Sequence, residues 1–286
     1  MGKGALLAQR LNTQVVGHGP RTFLCVHGFC SAQTAFRHQT PVLARVGRVV
    51  SYDLAGFGQA DPDVWHPQRH ASLESYAEDL VALLDELDLR RVTLLGASMG
   101  AMIGVLAAQR RPERFEGLVF IGASPRYLDD GAYRGGFSEE QIEAFYHLIE
   151  RGQDWRGALG HMMLGQSVSL ALQEVAENVR GVRPEVAGVV ARAIFGSDYR
   201  TLLAQVRHPV LITQTRADSV VPEAVGRYLQ RQLPHAQLVF LPGVGHLPNF
   251  TEPEAFNEVL EAFLLALPPG PVQPALLTRP TSPPAC

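Results

Sequence analysis

A serine flanked by glycines, Gly96-Ala97-Ser98-Met99-Gly100, stands between the apolar run Val92-Thr93-Leu94-Leu95 and a run of small and apolar residues that opens at Ala101. A serine hydroxyl is a weak nucleophile until a turn exposes it and a base takes its proton. The G-x-S-x-G spacing supplies the turn, because a strand passes into a helix there through a bend that only glycine tolerates. The Ser98 hydroxyl is thereby raised above a sheet edge, with a helix N-terminus behind it to favour developing negative charge. The chemistry this predicts is acyl transfer through a covalent serine intermediate.

Ser98 needs a base, and ten histidines compete for that role. His246, in Pro242-Gly243-Val244-Gly245-His246-Leu247-Pro248, lies in a glycine-rich loop after the last predicted strand, where a side chain can project over the sheet's C-terminal edge. His27 falls at a strand end in the loop expected to hold the oxyanion, His208 marks the start of a strand, and His147 and His161 fall in a helical insertion. The carboxylate that orients the imidazole is read as Asp218, just past a strand ending at Thr215, although an aspartate there also suits the cap of a helix beginning near Pro222. Asp53 is the rival acid, since it too ends a strand, but it precedes the nucleophile. The order Ser98, Asp218, His246 is the order this architecture requires. Oxyanion donors are expected from the backbone N–H groups of Met99 and Phe29.

These residues need a scaffold that brings strand ends together. Arg21 to Val26, Gly47 to Asp53, Val92 to Leu95, Phe115 to Gly122, Val210 to Thr215 and Gln237 to Leu241 read as strands. Ala32 to Val46 is read as a crossover helix, Ser75 to Leu87 carries a helical apolar stripe, and Glu254 to Leu267 closes the chain as a helix. Such alternation predicts an α/β fold: an open, mostly parallel sheet covered by helices on both faces. From Ser124 to Leu203 the rhythm breaks. Helical stretches are expected at Ser138 to Glu150, Trp155 to Leu164, Leu170 to Val179 and Pro184 to Phe195, with Ser138 as a cap and Pro184 in a first turn. The chain is therefore divided into a core, 1–123 with 204–267, a helical lid, 124–203, and a proline-rich tail, 268–286, expected to be disordered.

Composition narrows the function further. A chain of 286 residues, 46% hydrophobic and 19% charged, suits one substantial core with a small insertion rather than two full domains. A net charge of −3 without a long basic run argues against nucleic acid. The start is too short and too weakly apolar for a secretory signal, and no run is long enough to span a membrane, so a soluble cytoplasmic protein is expected. Cys25, Cys30 and Cys286 form neither a metal spacing nor an even set for disulfides. No metal motif and no phosphate-binding loop is present, and Gly56-Phe57-Gly58 reads as a strand-end turn, so no cofactor is called for.

Taken with these motifs, the chain resembles the α/β-hydrolase superfamily. More narrowly, it resembles the branch of the bacterial stress-response regulator RsbQ and the plant strigolactone and karrikin receptors. The likeness covers roughly residues 10 to 265 and is carried by Ser124-Pro125-Arg126-Tyr127-Leu128-Asp129-Asp130, Tyr133-Arg134-Gly135-Gly136-Phe137, Phe195-Gly196-Ser197-Asp198-Tyr199-Arg200 and Gly245-His246-Leu247-Pro248. It implies a Ser-Asp-His triad, at Ser98, Asp218 and His246, under a V-shaped lid of four helices. Two positions depart from the pattern: Ala97 stands where many members carry histidine, and Phe36 where tryptophan is common. The resulting expectation is a serine hydrolase of a small apolar carboxylic ester or lactone, with Phe29, Tyr127, Phe137, Trp155, Phe195 and Val221 lining its pocket. Acyl transfer and perhydrolysis share the machinery, whereas epoxide hydrolases and dehalogenases need a carboxylate where Ser98 stands. The alternative implied by the resemblance is a ligand sensor that hydrolyses slowly and signals through a protein partner.

Overall fold

The computed structural model describes residues 6–164 and 177–268. Seven strands form one sheet: β1 (Gln14–Val16), β2 (Arg21–Val26), β3 (Gly47–Ser51), β4 (Val92–Ala97), β5 (Phe115–Ile121), β6 (Val210–Ala217) and β7 (Ala236–Val244). Their order across the sheet is β1-β3-β2-β4-β5-β6-β7, and every neighbouring pair is parallel except β1 with β3. β4 is therefore the middle strand. All six of its residues are buried, as a parallel strand covered on both faces requires.

The helices are α1 (Leu7–Arg10), α2 (Thr40–Leu43), α3 (Leu73–Glu86), α4 (Met99–Arg110), α5 (Glu139–Glu150), α6 (Trp155–Leu164), α7 (Pro184–Phe195), α8 (Glu223–Gln232), α9 (Pro248–Thr251) and α10 (Pro253–Ala266), with a further helical stretch over 177–181. α3 buries the stripe Leu73, Tyr76, Ala77, Leu80, Leu83 and Leu84 and leaves most of its acids outside, as its periodicity predicts. α4 is apolar nearly all round and is buried accordingly, with Gly104 admitting the Leu94 side chain of β4.

The helical insertion expected between Phe115–Ile121 and Val210–Ala217 is present. α5 begins with a reciprocal capping box, in which the Ser138 hydroxyl accepts from Gln141 N and the Gln141 side chain accepts from Ser138 N. α7 starts at Pro184 and ends at Phe195, the bounds read from the sequence. The helix expected over Leu170 to Val179 lies mostly outside the described residues, as does the tail from 269 onward.

Two sequence readings need correction. The crossover over Ala32 to Val46 is not one helix but a 3-10 turn, Gln33–Phe36, followed by the short α2. Pro41 sits in the first turn of α2 and cannot donate to a preceding helix. β1 was not expected: its three residues are exposed, so they carry no pattern of burial.

Candidate active site

Ser98 follows β4 directly and caps α4 with φ 52° and ψ −118°. This is a strained conformation for a residue with a side chain, and its neighbours fix it. Ser98 N donates to Ile121 O at 2.8 Å, tying the turn to the end of β5. A β-carbon on Gly28 would stand 3.2 Å from Ser98 Cβ, and one on Gly100 would strike Val26 O. The turn therefore packs against the loop that follows β2 at a distance only glycines permit. Ser98 sits at the N-terminus of a twelve-residue helix, where partial positive charge favours an oxyanion nearby.

Asp218 and His246 meet from the ends of β6 and β7. His246 Nδ1 lies 2.9 Å from Asp218 Oδ2 and 3.2 Å from Oδ1, and both side chains are almost wholly buried. The N–H groups of Val220 and Val221 donate to Asp218 Oδ1 at 2.8 and 3.0 Å, so the carboxylate is held by its own loop as well as by the imidazole. The capping role considered from sequence is not realised: α8 starts after Pro222 without a side-chain cap, and Asp218 binds the loop before it. Oriented in this way, Nδ1 carries the proton and Nε2 is left as the basic nitrogen. His246 Nε2 is buried without a hydrogen-bond partner among the described residues. The Ser98 hydroxyl is instead bonded to the Tyr127 hydroxyl at 3.1 Å.

Ser98 and His246 face one cavity of about 40 Å³, walled mainly by apolar side chains. Phe29 and Leu247 close it from the core. Tyr127, Leu159, Met162, Met163, Ile194 and Phe195 close it from the insertion. Space of this size holds about three water molecules. α6 is tied to both loops of the acid-imidazole pair. His246 N donates to Met163 O at 2.7 Å, and the Ser219 hydroxyl donates to Met162 O at 2.8 Å.

The structure brings Phe29, Tyr127 and Phe195 to the cavity, and it places Phe137, Trp155 and Val221 elsewhere. Phe137 packs behind Phe195, ring centres 5.6 Å apart, in a cluster that also holds Tyr127 and Phe145 around Phe195. Trp155 is fully buried beneath the Arg156 guanidinium, 4.4 Å from its ring. Val221 is buried in the acid loop, where its carbonyl accepts from the Gln214 amide; Val220 takes the cavity position. Residue type alone marks an aromatic or aliphatic side chain as apolar and does not say which apolar space it fills. Met162 and Met163 were missed for the same reason: they read as ordinary helix interior.

The N–H groups of Phe29 and Met99 have no backbone acceptor among the described residues. The Met99 side chain is buried in the core, away from the cavity. His27 fixes the loop that carries Phe29. Its Nε2 accepts from Leu54 N at 2.9 Å while Nδ1 meets Gly28 O at 2.8 Å, a pattern that needs the neutral imidazole with the proton on Nδ1. Burial holds its pKa below the usual 6.5. The rival acid Asp53 is used structurally, accepting from Asn12, Gln33 N and Gln59 N at 2.8 Å each.

A parallel sheet whose middle strand delivers a strained serine, with a buried acid-imidazole pair arriving from the two strands on one flank, defines the α/β-hydrolase architecture. The family model described as the alpha/beta hydrolase fold matches residues 21–253, and the chain belongs to that family. Within it the chain groups with the strigolactone and karrikin receptor branch. It is 35% identical to the strigolactone esterase D14 of Arabidopsis thaliana over 90% of this chain and 97% of the relative. It is also 35% identical to the karrikin insensitive 2 receptor CA of Petunia hybrida, over 87% and 93%. Among solved structures, a hydrolase from Oleispira antarctica superposes with a TM-score of 0.87 at 30% identity, covering 91% of this chain and 96% of the other. No helix among the described residues is long and apolar enough to cross a membrane.

Proposed function

We propose that this chain is a serine hydrolase of a compact, apolar carboxylic ester or lactone, with Ser98 as nucleophile, His246 as base and Asp218 as the group that orients it. The observation that carries the reading is the convergence of the Ser98 hydroxyl and the unpartnered His246 Nε2 on one apolar cavity, with Asp218 buried against the far side of the ring. In acylation His246 takes the Ser98 proton as Oγ bonds to the substrate carbonyl carbon, and it then protonates the departing alcohol. In deacylation it takes a proton from water, whose oxygen attacks the acyl carbon, and returns that proton to Ser98. The N–H groups of Phe29 and Met99 support the oxyanion in both steps. The insertion at 124–203 serves as the lid over a core formed by 1–123 and 204–267. A fluorophosphonate probe tests the site: intact-protein mass should rise by one adduct mapped to Ser98 and stay unchanged in Ser98→Ala. Absence of an adduct on wild-type protein would end the proposal.

The relatives favour one use of this chemistry over ordinary turnover. Relatives matching at 35% identity carry the names strigolactone esterase and karrikin insensitive 2 receptor, and the cavity wall is formed largely by the insertion. We infer slow hydrolysis of a lactone whose arrival or cleavage shifts the lid and alters contact with a partner protein; coupling of that kind requires only that the ligand distinguish two lid states. Purification from the native cell with wild-type and Ser98→Ala baits separates the uses. A stoichiometric partner whose retention depends on ligand supports sensing, whereas fast multiple turnover without one returns the protein to metabolism.

A further inference from the structure

Three of the stretches that mark this branch, 124–130, 133–137 and 195–200, contribute little to the cavity wall beyond Tyr127, Phe195 and the loop that supports them. Most of their polar side chains meet at the base of the insertion. Arg200 reaches Asp198 through Nε and a terminal nitrogen, at 2.9 and 2.6 Å, and the same terminal nitrogen reaches Asp130 at 2.6 Å. Arg126 joins the same acids, 3.3 Å from Asp198 and 3.8 Å from Asp130. The two arginine side chains are only about a fifth exposed, so water screens this cluster less than it would an open surface pair.

Residues adjoining the cluster hold the backbone at Pro125 and Arg126. Tyr199 N donates to Pro125 O at 2.9 Å. Arg126 O accepts from the Ser124 hydroxyl at 2.7 Å and from the Tyr133 hydroxyl at 2.9 Å. Arg200 lies over the Tyr133 ring at 4.9 Å, and Tyr133 is set edge-on against Tyr228 of α8. The next residue along the chain is Tyr127. Its carbonyl accepts from Phe137 N at 3.1 Å, its ring packs on Phe195, and its hydroxyl is the one bonded to Ser98 Oγ.

We propose that the Tyr127 hydroxyl is a catalytic hydrogen-bond partner of the Ser98 oxygen, and that Arg126, Asp130, Asp198 and Arg200 form a clamp that positions it. The inference rests on Ser98 being the nucleophile of a hydrolase. With Tyr127 donating, Ser98 keeps its own proton free to turn to His246 Nε2, which waits without a partner. In deacylation the water oxygen bonds to the acyl carbon, the bond from that carbon to Oγ breaks, and the electron pair stays on Oγ. His246 then delivers the proton. A buried hydroxyl already aimed at Oγ steadies that oxygen while the charge is on it, without any reorganisation. Burial pushes the Tyr127 phenol well above its usual range, so it remains a donor throughout.

The test combines p-nitrophenyl acetate turnover with the rate of Ser98 labelling by a fluorophosphonate, on the full chain. Tyr127→Phe keeps the ring and should lower kcat and the labelling rate on the order of tenfold, with KM within about twofold. Arg200→Gln should lower kcat severalfold in the same sense, and Arg200→Lys should recover part of that loss. The double variant should be no slower than Tyr127→Phe alone, because a clamp has no effect on kcat once the hydroxyl it positions is gone. Should Arg200→Gln fail to fold, Asp130→Asn, which removes one arm of the clamp, is read in the same way. Multiplicative losses, or labelling unaffected by Tyr127→Phe, would overturn this inference while leaving Ser98 as nucleophile. Failure of wild-type protein to label at Ser98 would overturn both.

Discussion

The space that a β-carbon on Gly122 would occupy is already taken by His246: the added atom would stand 2.5 Å from the His246 carbonyl oxygen and 2.8 Å from Cε1 of the ring. Gly122 follows β5 with φ +56°, in the left-handed region, and so packs against the proposed base from a strand that supplies no member of the proposed triad. Gly122→Ala should displace the imidazole. We expect a loss of roughly 1–3 kcal/mol in stability and a loss of kcat far larger than any change in KM, measured by thermal melts beside ester kinetics. Wild-type kinetics in that variant would show that the imidazole is free to shift.

Asp218→Asn keeps the shape of the acid and removes its charge. The amide can present its NH₂ group to Nδ1 and so favour the tautomer with the proton on Nε2, which cannot accept from Ser98. The expected result is a fall in kcat on the order of 10³-fold or more with the melting temperature little changed. A small fall would show that Asp218 is not the acid that orients His246.

His27 gives the oxyanion loop a pH dependence. Its folded pKa is lowered by burial, so as pH falls below 6.5 the unfolded chain takes up a proton that the folded chain refuses. Stability is therefore complete above 6.5 and declines on the acid side. Melting temperature followed from about pH 8 to about pH 5 should fall less steeply in His27→Asn than in wild type. Equal slopes would assign the acid loss to other groups.

Phe195 is the hub of the lid aromatics, within 6.4 Å, centre to centre, of Tyr127, Phe137, Phe145 and Tyr146. Phe195→Ala should cost about 3–5 kcal/mol or detach the lid, and it should also broaden acceptance of longer acyl chains by enlarging the cavity. Melting curves and a series of esters of increasing acyl length would check both outcomes. Unchanged length preference would mean that the ring does not limit the pocket.

The sheet, the order of its strands' functional loops and the elbow at Ser98 are legible in the sequence, because local constraints determine them. A parallel strand buried on both faces must be continuously apolar, and a bend that admits only glycine must display its glycines. Ser138 and Pro184 announced helix starts for equally local reasons. The short β1 and the interruption of the crossover at Pro41 were less legible, since an exposed three-residue strand has no burial pattern and the length of the segment over Ala32 to Val46 does not by itself show the break that Pro41 imposes. Which apolar side chains face the cavity was decided by tertiary structure alone. Trp155 opens α6 and Met163 lies near its other end, both buried, yet only the methionine reaches Ser98's chamber. The bond from Tyr127 to Ser98 belongs to the same class. The two residues are 29 positions apart, and their meeting depends on an ion cluster built from acids and arginines at both ends of the insertion. Sequence spacing reports periodicity along one element, whereas such convergence is set by how separate elements pack, and that is a property of the folded chain.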